Sequence, residues 1–155
     1  MEARITNPLM IFKGTLPALI EFGKAARDAG VPQTTFELLE LRVSQINGCS
    51  LCVELHATEL HKSGEPLEKI FAVGAWRESP HFDDAERAAL ALAESITRIA
   101  DSADPVPDTV WADAARHYDE QALAALVVAT TAINAFNRIN VATRQPAGWR
   151  PSPAS

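Results

Sequence analysis

The sequence predicts an all-α protein. Alanine and leucine dominate the chain. No long alternating apolar/polar run bounded by turn residues is present. Glycine, proline and capping residues also fall where helices of ordinary length would begin and end. About seven helices are expected.

Residues 1–15 read as irregular, with Pro8 and Gly14. A first helix is expected from Leu16 to Ala29, ended by Gly30 and Pro32. A second begins at Thr34 or Thr35, where Thr34 and Glu37 fit a capping box, and runs to the natural stop at Asn47-Gly48. A third carries SLCVELHATELHKSG from about Ser50 to Lys62, closed by Gly64. A short fourth, EKIFAVGAW, follows Pro66. Asp83 opens a fifth, with Glu86 three residues on, and Ala89, Leu92, Ala93, Ile96, Ile99 and Ala100 form its apolar stripe. DSADPVPD is a loop, and Asp108 is expected to cap a sixth helix reaching about His117. The seventh, from roughly Glu120 to Val141, is apolar on most sides and calls for burial in the fold or in a subunit contact. The proline-rich tail QPAGWRPSPAS reads as extended or mobile. No repeat or linker divides the chain, so one domain over 1–155 is expected, with a core of about 5–148 and a tail of 149–155.

Charge and apolar patterning exclude several classes. The formal net charge is -6 and no basic block is present, which argues against a nucleic-acid partner. The N-terminal apolar run Leu9–Phe12 is too short for a signal peptide or a membrane span, so a cytoplasmic protein without a membrane partner is expected. Cytoplasmic thiols stay reduced. The two cysteines, Cys49 and Cys52, therefore leave redox chemistry, metal binding or inert packing by chance, rather than a structural staple.

Their surroundings favour redox chemistry. His56 follows Cys52 by four residues, on the same helix face, where an imidazole can take the thiol's proton. Both cysteines sit at a helix start, where free backbone N–H groups and the dipole lower a thiol pKa. A second thiol one turn away can resolve a sulfenic acid into a disulfide. If the chain reverses at Asn47-Gly48, Glu37 and His56 come within roughly one helical turn in height. The result is a proton relay from Glu37 to His56 to Cys52, a nucleophile with a base and an orienting acid. A zinc site of Cys49, Cys52, His56 and His61 is the competing reading, but His61 is displaced from Cys52 by roughly 13 Å along the helix. No metal or cofactor is expected. Val53 after the second cysteine rules out the covalent-haem pattern.

Other residues read mainly as structural. Trp76 suits a core and Arg77-Glu78 a surface pair. Asn134, Asn137 and Asn140 repeat every three residues on an apolar helix, where buried amides serve neighbouring backbone or subunits. Ser44 shares a face with Glu37 and reads as packing, while His81 and His117 read as surface or loop residues.

The run ELLELRVSQINGCSLCVELH, with GAWRESPHFDDAERAALALAE and INAFNRI, resembles the carboxymuconolactone decarboxylase superfamily on its alkylhydroperoxidase D (AhpD)-like branch. The shared signature is glutamate, eleven residues, Cys-x-x-Cys, three residues, histidine; it falls on Glu37, Cys49, Cys52 and His56. The resemblance covers roughly residues 5–148. It implies a helical fold assembled as trimers or hexamers, and reduction of peroxides of the alkyl hydroperoxide class. It implies Cys52 as attacking thiolate, Cys49 as resolving thiol and Glu37–His56 as the relay. An external dithiol or lipoyl-type group would be the reductant. One position departs: the best-known alkylhydroperoxidase D has a histidine between its cysteines, where this chain has Leu51. That departure leaves room for an oligomeric redox- or metal-responsive binding protein with little turnover. Decarboxylase members generally lack the cysteine pair, which weighs against lactone decarboxylation.

Overall fold

The computed structural model describes residues 2–148. The elements are α1 (Pro8–Ile11), α2 (Thr15–Lys24), α3 (Gln33–Asn47), α4 (Ser50–Lys62), α5 (Leu67–Ala72), α6 (Asp84–Thr97), α7 (Asp108–Ala115) and α8 (Glu120–Thr143). Short 3₁₀ segments span Val73–Glu78 and Ile99–Asp101. No strand occurs among the described residues, so the all-α expectation holds. The expected tail, 149–155, lies outside the described residues.

α3 is the centre of the fold, packed by α4, α6 and α8. Phe36, Leu39 and Val43 join Leu92, Leu126 and Ile133 in one core cluster. Leu38 and Leu41 meet Leu60, Ile70, Val73, Trp76, Phe82 and Leu90 in a second. Each fully buried leucine of this kind contributes roughly 1.5–3 kcal/mol of transfer free energy. A helix apolar on two sides must bury whatever polar groups lie between, and here those are Glu37, Glu40 and Ser44. α8 is long and apolar enough to cross a membrane by length and composition, yet more than half of its most apolar stretch is buried inside the fold. It packs on α3, α6 and α2, as its apolar circumference requires.

The α3–α4 reversal forms as expected. Gly48 closes α3 in the left-handed region at φ 70°, where a side chain would be strained. The Cys49 N–H donates to the Ser44 carbonyl at 3.0 Å, and α4 follows at once. Asn47 Nδ2 donates to Asn137 Oδ1 at 2.9 Å and Asn134 Oδ1 at 3.0 Å, pinning the turn to α8.

Four local expectations need correction. The Thr34–Glu37 capping box does not form: α3 starts at Gln33 behind Pro32, without a side-chain cap, and Glu37 points inward. The first helix is shorter than Leu16–Ala29, because α2 ends at Lys24 and turns lead on to Gly30. The N-terminal segment is not wholly irregular: Asn7 caps α1, with Pro8 at its first position. Asp108 is the first residue of α7 rather than its cap, a place taken by Pro107. The Asp83–Glu86 box does form in both directions, at 2.8 and 3.1 Å.

Glu94 ties three elements together. It accepts hydrogen bonds from Arg42 Nε (2.5 Å), Arg77 Nη1 (2.5 Å) and Trp76 Nε1 (3.0 Å). Arg77 and Glu78 are both exposed, as expected, and Arg77 also reaches back to Glu94. Burial opposes its ionisation, but the bonds from Trp76, Arg77 and Arg42 outweigh burial and hold its carboxyl below the ordinary value. Glu94→Ala strands the mostly buried Arg42 guanidinium, and is expected to cost about 3–5 kcal/mol at neutral pH. A group with a lowered folded pKa stabilises above its unfolded value and loses that effect as pH falls through the folded value. Urea unfolding should therefore show the wild-type advantage shrinking in strong acid. An equal gap at neutral and acid pH would contradict this account.

Candidate active site

The site is built where α3, α4 and α8 meet. Cys49 is the N-cap of α4, and its Sγ accepts the Cys52 N–H at 3.4 Å. The two sulfurs are joined as a disulfide, with Cα atoms 5.4 Å apart. Both cysteines are buried, at 2% and 5% exposure. They differ in what they face. Cys52 lines a cavity of about 500 Å³, and Cys49 does not. Leu16, Leu19, Leu51, Leu55, Ile133 and Phe136 give that cavity largely apolar walls, to which His56, Glu40, Arg27 and Asn140 add polar groups.

His56 is buried, and its Nδ1 lies 2.8 Å from Glu37 Oε2. The second Glu37 oxygen accepts from Gln33 Nε2 at 2.7 Å. Burial works against the Glu37 carboxylate, but the bond and charge of His56, with Arg27 and Gln33, outweigh burial and hold its pKa below the ordinary value. An ionised Glu37 requires a proton on Nδ1. Whenever the ring is neutral, that proton on Nδ1 leaves Nε2 as the unprotonated nitrogen. The pairing expected from helix rise is therefore present in the fold.

Glu40 was not expected here. It follows Glu37 by three residues, on the same side of α3, and that i,i+3 spacing was the available signal. Its Oε1 accepts from Arg27 Nη2 at 2.5 Å, while its Oε2 lies 3.5 Å from His56 Nδ1 and has no hydrogen-bond partner among the described residues. Burial raises its pKa, the charge of Glu37 adds to that, and His56 and Arg27 do not reverse it. Two carboxylates beside one imidazole are thus pushed in opposite directions.

Glu37, Glu40 and His56 place one ligand atom each within 4.8 Å of one another, a donor set that suits a divalent ion. Arg27 already supplies positive charge there, bonding Glu40 and lowering Glu37. The zinc set read from sequence is not assembled, since His61 is exposed on α4 while Cys49, Cys52 and His56 are buried. His81 and His117 are exposed as well.

The asparagine stripe divides. Asn134 and Asn137 serve the fold, accepting from Asn47 and donating to Thr97 and Ser44. Ser44 is fully buried and donates to the Glu40 carbonyl at 2.7 Å, so it supports the site without entering the cavity. Asn140 instead directs Nδ2 at Cys52 Sγ, 3.5 Å away.

Residues 14–95 match the family model for the carboxymuconolactone decarboxylase family. The chain is 36% identical to the uncharacterised protein YdfG of Bacillus subtilis over 80% of its own length and 83% of that protein. It is 48% identical to alkyl hydroperoxide reductase AhpD of Maricaulis maris over 50 residues, only 28% of that protein. The fold superposes with a TM-score of 0.87, at 30% identity, on an Agrobacterium tumefaciens protein of unknown function, ATU0492, named as a candidate antioxidant-defence protein AhpD. That similarity covers 96% of this chain and 100% of the other.

Proposed function

The chain belongs to the AhpD-like branch of the carboxymuconolactone decarboxylase family, and we propose that it is a thiol-dependent peroxidase and disulfide oxidoreductase acting on organic hydroperoxides. One observation carries this reading: of the bonded pair, Cys52 borders an apolar cavity that His56 also lines, and His56 is backed by Glu37.

In the reduced protein, His56 takes the Cys52 proton. The thiolate attacks the terminal oxygen of the hydroperoxide, the O–O bond breaks, and the alkoxide leaves with that proton as an alcohol. Cys52 is then a sulfenic acid. Cys49 attacks its sulfur, water leaves, and the disulfide forms. An external dithiol reduces it and is itself oxidised. Because both sulfurs are buried, a slender dithiol such as a lipoyl arm suits the cavity better than a broad protein surface. The cytoplasm, where such reductants operate, suits this cycle.

The apolar walls stabilise a hydrocarbon tail and give hydrogen peroxide no such gain. The test is a panel of organic hydroperoxides and hydrogen peroxide, each with dihydrolipoamide or dithiothreitol, on wild type and Cys52→Ser together. Faster turnover of bulky hydroperoxides, lost in the variant, is expected. Equal consumption by both proteins would defeat the proposal.

A trimer or hexamer goes with this reading. α2 buries none of its residues within the chain, and Ile11, Phe12, Ile20 and Phe22 stand exposed around it. Light scattering at micromolar concentration should give three or six times 16.8 kDa. A mass near 16.8 kDa itself would refute the assembly.

A further inference from the structure

Asn140 and Asn7 form a hydrogen-bonded chain that ends on a sulfur. The Leu9 N–H donates to Asn7 Oδ1 at 3.0 Å, which leaves Asn7 with its NH₂ as the free end. That NH₂ donates to Asn140 Oδ1 at 3.0 Å. The Asn140 NH₂ must then face the other way, where Cys52 Sγ lies at 3.5 Å. Reversing the Asn140 amide would set two NH₂ groups against each other. A backbone N–H, which cannot flip, therefore fixes the polarity of the whole chain. Both asparagines are buried, at 4% and 6% exposure, and both line the cavity that Cys52 faces.

We propose that Asn140 is a catalytic residue that donates a hydrogen bond to the Cys52 thiolate and so activates it, with Asn7 as the positioning residue that aims the amide. The proposal rests on Cys52 being the reacting thiol of the reading above. A disulfide sulfur is a weak acceptor, and a thiolate is a charged one, so the bond strengthens when the pair is reduced. Leu51, between the cysteines, has no donor to offer. Asn140 supplies one from another helix. Its amide does not titrate, so its support of the thiolate persists across the working pH range. A histidine's support would fade once the ring lost its proton. Asn134 and Asn137 cannot substitute, because their amides are engaged with Thr97, Thr130 and Ser44.

The experiment measures the Cys52 pKa directly, from iodoacetamide alkylation rates against pH in a Cys49→Ser background. Serine is a good N-cap, so this background keeps the start of α4. Asn140→Leu should raise the Cys52 pKa by about one unit, a roughly tenfold smaller thiolate fraction below that pKa. Asn140→Asp keeps the shape but replaces the donor with a charged acceptor, and should raise it further. Asn7→Ala, which frees the amide to turn, should raise it by less. Circular dichroism confirms folding, and if the leucine variant does not fold, Asn140→Ala, neutral and without a donor, carries the test. An unchanged pKa in the folded Asn140 variants overturns the proposal. Because alkylation needs no peroxide, the two readings separate. A raised pKa in a protein whose wild type ignores every peroxide supports Asn140 and removes only the peroxidase assignment.

Discussion

Cys52→Ser is expected to abolish peroxide turnover, and Cys49→Ser, without added thiol, to consume one equivalent of hydroperoxide per chain and then stop. The asymmetry follows from what the two sulfurs face. Cys52 borders the cavity, and Cys49 sits behind it as the N-cap of α4. A serine hydroxyl at 52 has no thiolate-like form near neutral pH, so the drop should be at least about 10³-fold, down to uncatalysed oxidation. At 49, serine keeps the cap but cannot condense with a sulfenic acid. Cys52 should then accumulate as a sulfenic acid, detected by dimedone labelling and mass spectrometry at one label per chain. A label on Cys49 in Cys52→Ser, with turnover retained, would reverse the two roles.

Much of this site was legible because much of it is local. Gly48 and the Asn47 stop set the reversal, and Ser50–Lys62 emerges with the bounds expected. Once two helices are joined by so short a turn, helix rise alone brings Glu37 level with His56. The same glutamate also fits a capping-box pattern, and the fold decides between the two uses. A buried imidazole without a partner costs more than an absent cap, so Glu37 turns inward.

What was not legible is long-range. Asn140 meets Cys52 across 88 residues of chain and Asn7 across 133. The asparagine stripe was visible as three amides on an apolar helix. Which of them reaches sulfur depends on how α8 is rotated against α3 and α4. Arg27 lies beyond α2 and reaches Glu40 only through tertiary packing. The cavity likewise has walls from α2, α4 and α8, and no single stretch of sequence encodes it. Local spacing thus defines the thiols, His56 and its partner Glu37, and tertiary packing adds Arg27, Glu40, Asn140 and Asn7 around them.

The relay should fail in graded steps. His56→Ala removes the proposed base, and is expected to slow sulfenic acid formation about 10²–10³-fold in stopped-flow measurements near neutral pH. Glu37→Gln removes the charge that keeps Nδ1 protonated, yet Glu40 Oε2 stands 3.5 Å from the same nitrogen. Glu40 can then take over that contact, so the single variant should lose less than His56→Ala. The double variant Glu37→Gln/Glu40→Gln should approach the His56→Ala rate, because the two carboxylates share one partner and their effects are not additive. The pH dependence separates them further. Glu37, with its lowered pKa, stabilises the fold above the ordinary carboxylate range, and that contribution disappears as pH falls through its folded value. Glu40, with its raised pKa, acts oppositely: its contribution is complete below the unfolded value and fades as pH rises through the folded one. Glu37→Gln should therefore flatten the acid limb of the stability profile, and Glu40→Gln the limb above it. If Glu37→Gln alone matches His56→Ala in rate, Glu40 has no share in holding the imidazole and the relay has a single carboxylate.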